Sequence, residues 1–183
     1  MPARAWMGRS ATDSVSSCAR CTVLSSHPER RTAAAAIVLL VGYSVTMYLV
    51  TKRIDFCYGH RLLDYDGICK HPHGHNAVVE VDVRTAELDS RNMVADFSDI
   101  KRIVKGWIDR ELDHKMILRH DDPLVGPLEA LHEPIFKTET NPTVEHIAKL
   151  IFDMSRHYGL DVYAVRVWET PTCFAEYRAG GEN

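Results

Sequence analysis

Residues 76–84, NAVVEVDVR, alternate between apolar and charged side chains from Val79 onward. This period of two predicts a β-strand over 75–84 with one buried face and one face in water. The preceding stretch MYLVTKRIDF, at residues 47–56, alternates in part and predicts a strand over 48–57. Because these two predicted strands follow each other along the chain, we expect them to pair as a hairpin.

Two helices are predicted after this hairpin. Ser98 is a favourable N-cap, and apolar residues then recur at helical spacing to about Leu112. The second predicted helix has Asn141 as its N-cap, a proline as its first residue and Gly159 at its end. Between them, residues 119–142 contain four prolines and predict a long connection without a regular element, of the kind that serves a function or an interface.

Two final strands are predicted over 161–169 and 173–178. The predicted order of elements is therefore ββααββ. The natural layer arrangement for this order is an α+β fold in which an antiparallel four-stranded sheet carries two helices on one face.

Charge and composition divide the chain near residue 46. The 183 residues are 45% hydrophobic and carry a formal net charge of −3, which excludes a disordered chain and a nucleic-acid binder driven by bulk positive charge. Residues 1–46 contain five arginines against one aspartate and one glutamate, so they carry +3 and residues 47–183 carry −6. We predict that 1–46 is an extension outside the fold, consistent with a start assigned too far upstream, and that 47–183 is the working domain.

Residues 32–50 form a long apolar run, TAAAAIVLLVGYSVTMYLV, which follows two arginines. Such a run also fits a membrane span or a signal sequence. Both alternatives conflict with the strand predicted from residue 48, because anchoring or cleavage near Val50 would disrupt it. A membrane-anchored metal-binding protein is therefore the weaker interpretation. The irregular spacing of the later cysteines predicts no disulfide framework and favours a reducing cytoplasm.

The densest group of candidate ligands is CKHPHGHN at residues 69–76. His73 and His75 are two residues apart at the start of a strand, so their side chains point to the same face. His60 ends the preceding strand, and the hairpin brings its imidazole to the same place. Three histidines with an open fourth position are typical of catalytic zinc. We predict that His60, His73 and His75 bind Zn²⁺ and that His71 does not, surface histidines in a loop being the alternative.

Further residues carry chemistry if the fold brings them to this metal. Cys69 precedes His73 by four residues, and beside a metal ion its thiol can ionise and act as a base or nucleophile. Asp113 can orient His114 and raise its basicity, which would provide a relay for Cys69. Glu169 closes a predicted strand, where its carboxylate can accept two hydrogen bonds from the amide edge of a heterocycle. Burial of Cys69 and solvent exposure of the others are the alternatives.

Together these motifs resemble the 6-pyruvoyl-tetrahydropterin synthase / 6-carboxy-tetrahydropterin synthase family, over residues 47–178. The matching motifs are Phe56 with HRL at 60–62, Cys69 with HGHN at 73–76, MVADF at 93–97, LDH at 112–114, NPT at 141–143 with Glu145, and ETPT at 169–172 with Tyr177. The resemblance implies the tunnelling fold (T-fold) and homohexamers of two stacked trimers, with active sites at subunit interfaces.

The resemblance also implies a role for each matching residue. His60, His73 and His75 would hold the zinc ion. Cys69 would accept a proton, with Asp113 and His114 as its relay. Glu169, together with the backbone near Thr143, would anchor the pterin ring.

The spacing of three residues between Cys69 and His73 resembles the bacterial 6-carboxy enzymes of queuosine (7-deazaguanine) biosynthesis, because the pyruvoyl enzymes have a longer spacer. The implied substrate is 7,8-dihydroneopterin triphosphate, and Arg61, Lys70 and Lys115 are candidate cations for its phosphates. The implied products are 6-carboxy-5,6,7,8-tetrahydropterin, acetaldehyde and triphosphate. The alternatives are a pyruvoyl synthase, a side-chain-cleaving relative of the folate route, and a non-catalytic zinc-binding hexameric scaffold.

Overall fold

The computed structural model describes residues 46–178 and Gly180. The strands of this part are β1 (Tyr48–His60), β2 (His73–Thr85), β3 (Lys115–Arg119), β4 (Ile135–Thr138), β5 (Val162–Thr170) and β6 (Cys173–Arg178). Its helices are α1, made of Phe97–Ile100, the π-helical Lys101–Lys105 and Gly106–Glu111, followed by α2 (Val125–Ala130) and α3 (Val144–His157). A single 3₁₀ turn, Ile68–Lys70, lies between β1 and β2.

The predicted hairpin is confirmed and forms the centre of the sheet. β1 and β2 are 13 residues each and pair antiparallel along their whole length, from Tyr48 opposite Thr85 to His60 opposite His73. Burial alternates along β1, where every second residue from Ile54 to His60 is buried. The row of core side chains on this strand therefore ends in a histidine.

The sheet contains six strands in the order β4-β3-β1-β2-β5-β6, so the predicted count of four was too low. The four predicted strands, β1, β2, β5 and β6, are antiparallel neighbours. β3 and β4 extend the sheet beyond β1 in parallel, which makes it mixed. Both β4 and α2 lie within residues 119–142, where we expected no regular element. The three additional elements are four to six residues long, too short to show a period in the sequence.

Helices α1 and α3 pack against one face of the sheet, which confirms the α+β class and the predicted layering. Core residues with no exposed surface come from β2 and from both helices and include Val79, Val81, Ile100, Val104, Ile108, Ile147 and Ile151. Each such side chain stabilises the fold by about 1.5–3 kcal/mol relative to an exposed position. This shared core holds the hairpin against the helices.

Both long helices begin near, but not at, the predicted caps. Asp96 rather than Ser98 caps α1, and its Oδ1 accepts a hydrogen bond of 2.7 Å from the backbone N–H of Ser98. Thr143 rather than Asn141 caps α3, and its Oγ1 accepts a hydrogen bond of 3.4 Å from the backbone N–H of His146. The side chains of Asp and Thr satisfy free N–H groups of the first helical turn in the expected way.

The predicted extension, residues 1–46, lies outside the described residues apart from Thr46, and its separate status stays a prediction. The same is true of most of the apolar run at 32–50. In the described ranges, no helix has the length and apolar character needed to cross a membrane.

Candidate active site

The three predicted ligand histidines meet at the end of the β1–β2 hairpin. His60 is the last residue of β1 and lies opposite His73, the first residue of β2, while His75 lies opposite Tyr58. This register places all three imidazoles on one face. The Nε2 atom of His60 lies 3.0 Å from Nε2 of His73 and 3.2 Å from Nε2 of His75. His71 is exposed and does not join this trio.

The hydrogen bonds of His60 and His73 leave their Nε2 atoms free for a metal ion. Nδ1 of His60 donates to the carbonyl of Pro142 at 2.8 Å, and Nδ1 of His73 donates to the carbonyl of His71 at 2.8 Å. A proton on Nδ1 leaves the lone pair on Nε2, and such carbonyl partners are typical of metal-binding histidines. Three convergent imidazoles are the donor set of a catalytic zinc site, so these residues fit the metal.

Electrostatics keeps His60 in the neutral form that binds metals. Burial lowers the pKa of His60, and His73 and His75 lower it further, although the Pro142 carbonyl and Glu169 partly oppose the shift. His60 is only 3% exposed. A neutral imidazole with a free Nε2 is therefore present at the buried side of the trio.

Glu169, near the end of β5, lies beside the trio. Its Oε1 lies 3.8 Å from Nε2 of His60 and 3.9 Å from Nε2 of His75. The same oxygen accepts a hydrogen bond of 2.6 Å from the hydroxyl of Tyr58. Burial raises the pKa of Tyr58, and the hydrogen bond and charge of Glu169 raise it further, so the hydroxyl stays protonated.

Asp113 and His114 form the predicted pair directly before β3. Oδ2 of Asp113 lies 2.9 Å from Nδ1 of His114, and Oδ1 accepts a 2.9 Å hydrogen bond from the backbone N–H of Cys57. Burial raises the pKa of Asp113, but these hydrogen bonds outweigh it and hold the pKa below its ordinary value. His114 has a positive φ of 58°, a conformation that is uncommon for a residue with a side chain. Its backbone N–H donates to the carbonyl of Cys57 at 2.7 Å, which holds it there.

The cysteine that neighbours this pair within one chain is Cys57 and not the predicted Cys69. Ligand atoms of Cys57, Asp113 and His114 lie within 4.8 Å of one another. Cys69 lies half-buried in the 3₁₀ turn and does not join that group. A relay to Cys69 within a single subunit is therefore not formed by the described residues.

Thr143 and its neighbours connect the start of α3 to the site. The carbonyl of Pro142 accepts the hydrogen bond from His60, so the backbone beside Thr143 lies next to the trio. The side chain of Asn141 accepts a 2.9 Å hydrogen bond from the N–H of Leu63 and donates one of 2.7 Å to its carbonyl. Asn141 thus fixes the chain after β1 rather than capping the helix.

A cavity of ≈ 770 Å³ opens along the hairpin end and β3. Its lining combines polar groups from the candidate site with apolar side chains from the β3–β4 region, among them Cys57, His73, His75, His114, Lys115, Met116, Leu128 and Leu131. This volume is in the range of pockets that bind small molecules.

The three candidate phosphate-binding cations differ in their surroundings. Lys70 is exposed. Lys115 lines the cavity, and its Nζ donates to the carbonyl of Arg110 at 2.6 Å. Arg61 forms two hydrogen bonds to Asp122, from Nε at 2.7 Å and from Nη2 at 2.5 Å. The Asp122 side chain is fully buried, which indicates a structural role for Arg61.

Replacing Arg61 with alanine is expected to lower the free energy of unfolding by about 3 kcal/mol, because the buried carboxylate of Asp122 loses its charged partner. Urea unfolding at neutral pH measures this. The control is Arg91→Ala: Arg91 pairs with Asp89 at the surface, where solvent screens the pair, and we expect a much smaller loss. Equal losses for the two variants would contradict the structural role.

The pH dependence of this effect follows from Asp122. Burial raises the pKa of Asp122, but hydrogen bonds from Arg61 and from the N–H of Leu124 outweigh it, so the pKa lies below its ordinary value. Its contribution is therefore complete above the unfolded pKa of about 4 and is lost as the pH falls through the folded value. The difference between Arg61→Ala and the unaltered protein should shrink in acid.

Two residues of the site, Tyr58 and Cys57, were not predicted from the sequence to belong to it. Tyr58 carries a usable signal, because it stands two residues before His60 in an alternating strand and must share its face. Cys57 carries none, since only the pairing of β3 beside β1 brings Asp113 and His114 to it.

Comparison with known proteins gives consistent matches over this domain. The family model described as 6-pyruvoyl tetrahydropterin synthase matches residues 49–180. A 6-carboxy-5,6,7,8-tetrahydropterin synthase of Rickettsia bellii is 33% identical over 140 residues, covering 71% of this chain and 99% of the relative. That of Haemophilus influenzae is 34% identical over 140 residues, covering 72% and 99%. The solved structure of Caenorhabditis elegans 6-pyruvoyl tetrahydropterin synthase has a TM-score of 0.56 at 23% identity, covering 74% of this chain and 98% of that one.

The sheet, its two covering helices and the likeness to solved structures define a T-fold protein. Its three-histidine group stands at the end of the central hairpin. The family match spans well over half of the chain, so the chain belongs to the 6-pyruvoyl tetrahydropterin synthase family.

Proposed function

We propose that this protein is a zinc-dependent lyase that converts 7,8-dihydroneopterin triphosphate and water into 6-carboxy-5,6,7,8-tetrahydropterin, releasing acetaldehyde and triphosphate, in queuosine biosynthesis. Relatives that are a third identical and matched over nearly their whole length bear the name 6-carboxy-5,6,7,8-tetrahydropterin synthase, which supports this reaction. The spacing of three residues between Cys69 and His73 favours the same branch of the family.

The observation that carries the proposal is the position of Glu169 against the three histidines. Its Oε1 is within 4 Å of two ligand nitrogens, at 3.8 Å from His60 and 3.9 Å from His75. A carboxylate there can accept hydrogen bonds from the amino and amide edge of a pterin, which resembles a guanidine. The same placement points the pterin side chain at the metal-binding group.

His60, His73 and His75 would hold the zinc ion. When bound, zinc supplies Lewis-acid stabilisation of negative charge on the side-chain oxygens of the substrate. Glu169 and the backbone at Thr143 anchor the ring and fix its orientation. Cys69 accepts a proton from the substrate side chain as triphosphate leaves, and His114, oriented by Asp113, relays that proton.

The relay requires more than one subunit. Because Asp113 and His114 group with Cys57 and not with Cys69, they would serve Cys69 of a neighbouring copy of the chain. The side chain of His114 is 79% exposed, which leaves it free to meet a second subunit. We therefore propose a homohexamer with its active sites at subunit interfaces.

Cys57, Cys69 and Cys173 are free thiols, which agrees with a reducing cytoplasmic location.

A non-catalytic zinc scaffold would need the three histidines alone. The placement of Glu169 beside the trio and the hydrogen-bonded Asp113–His114 pair favour an enzyme instead.

Incubating zinc-loaded protein with 7,8-dihydroneopterin triphosphate and identifying the products by mass spectrometry tests the proposal. We expect acetaldehyde and 6-carboxy-tetrahydropterin in equal amounts. A pyruvoyl product would make the protein a pyruvoyl synthase, and side-chain cleavage without the carboxy product would make it a folate-route enzyme. No turnover with any of these products would favour the scaffold.

A further inference from the structure

The hydroxyl of Tyr58 contacts the carboxylate of Glu169 beside the three histidines. It donates a hydrogen bond of 2.6 Å to Oε1, the same oxygen that lies 3.8 Å and 3.9 Å from the ligand nitrogens of His60 and His75. The carboxylate can therefore bond to the tyrosine or move toward the metal-binding position. The hydrogen bond from Tyr58 favours the first arrangement, and removing it frees the carboxylate for the second.

The distances between these side-chain atoms can be compared with those of a four-coordinate zinc site. Zinc–nitrogen bonds of about 2.0–2.1 Å in a tetrahedral site place neighbouring ligand atoms about 3.3–3.4 Å apart. The histidine nitrogens are 3.0 Å and 3.2 Å apart, near that spacing. Oε1 of Glu169 lies 3.8 Å and 3.9 Å from the nitrogens of His60 and His75, beyond the spacing of a zinc ligand, and no contact within 4.0 Å joins it to His73. The carboxylate therefore lies beside the trio and outside the fourth coordination position.

Packing holds Tyr58 in place. Its ring stacks on Phe56, with centroids 5.3 Å apart and planes inclined by 16°, and it meets the ring of His60 edge-on at 5.2 Å. The residue is 3% exposed. Because its neighbours fill the space around the ring, the hydroxyl is a fixed donor and Glu169 adapts to it.

We propose that Tyr58 is a positioning residue that holds the Glu169 carboxylate off the metal, so that the fourth coordination position stays open and the carboxylate stays available to substrate. This inference rests on the proposed function in assuming the metal and the anchoring role of Glu169. Substituting a residue that orients the groups around a metal ion changes metal affinity or activity by about 10–100-fold.

Cobalt substitution gives a direct test, because Zn²⁺ has a filled d shell and lacks the ligand-field absorption that Co²⁺ shows. Azide is added to the Co²⁺-loaded protein, and the change in visible absorption measures its entry into the coordination position. In Tyr58→Phe the carboxylate is free to bind the metal. We therefore expect azide to bind about tenfold more weakly, since it must displace a carboxylate ligand.

The double variant shows whether the effect passes through Glu169. In a Glu169→Gln background, the change Tyr58→Phe should leave azide affinity unaltered. Tyr65→Phe, at an exposed tyrosine, is the matched control and should bind azide like the unaltered protein. Equal azide affinity with and without Tyr58→Phe would overturn the inference, as would the same loss in both backgrounds.

The assay does not use the pterin reaction, so its outcome can be told apart from failure of the proposed function. A protein that binds Co²⁺ and shows the Tyr58 effect but does not turn over the pterin supports the inference and rejects the reaction. A protein that does not bind Co²⁺ rejects both.

Discussion

Replacing His73 with alanine is expected to remove both the metal and the activity. His73 contributes one of three convergent nitrogens, with its Nε2 3.0 Å from that of His60, and two imidazoles do not make a catalytic zinc site. We expect the zinc content to fall from about one ion per chain to below about a tenth. Turnover should fall at least about a thousandfold, since Lewis-acid stabilisation is worth several kcal/mol. Atomic absorption and product formation measure the two quantities.

His71→Ala is the matched control for this prediction. His71 is two residues away and exposed, and only its backbone carbonyl contacts His73, which alanine preserves. We expect normal zinc content and activity from it. Full zinc occupancy in His73→Ala would refute the ligand assignment.

Replacing Cys69 with alanine is expected to separate metal binding from catalysis. Cys69 lies in the 3₁₀ turn outside the histidine trio, so zinc content should be unchanged. Turnover should fall about 10²–10⁴-fold, the usual effect of losing a general base. Cys173→Ala, at an exposed thiol at the start of β6, is the control and should keep both. Activity that survives in Cys69→Ala would remove the cysteine from the mechanism.

Mixing variants tests whether Cys69 works with Asp113 and His114 of another subunit. Chains carrying Cys69→Ala and chains carrying His114→Ala are inactive alone. Co-expressed in equal amounts, they should recover about a quarter of full activity, because that share of interfaces joins an intact Cys69 to an intact His114. No recovery would contradict a relay between subunits.

Local patterns in the sequence were sufficient to predict the central hairpin and the grouping of the three histidines. His60, His73 and His75 could be placed on one face because strand alternation is a short-range property, and the hairpin joins strands that are neighbours in the chain. The two long helices followed in the same way from their apolar spacing. Each cap was misplaced by two residues, since Ser98 and Asn141 have side chains as suited to capping as those of Asp96 and Thr143.

Contacts between residues far apart in the chain could not be predicted from local sequence patterns. The hydrogen bond from Tyr58 to Glu169 joins residues 111 apart, and that from Cys57 to Asp113 joins residues 56 apart. Each depends on which strands become neighbours. β3, whose pairing with β1 brings Asp113 and His114 to the hairpin, is too short to be recognised by period, and so is β4.

The sequence by itself therefore determined the α+β class, the central hairpin and the group of three histidines, because each depends on periodicity within a short stretch. Only the tertiary structure decided that the sheet of the described residues has six strands, that Asp113 and His114 lie beside Cys57, and that Tyr58 donates a hydrogen bond to Glu169. The physical reason is that strand order is set by burial of the whole core, and side-chain neighbours across the sheet follow from that order.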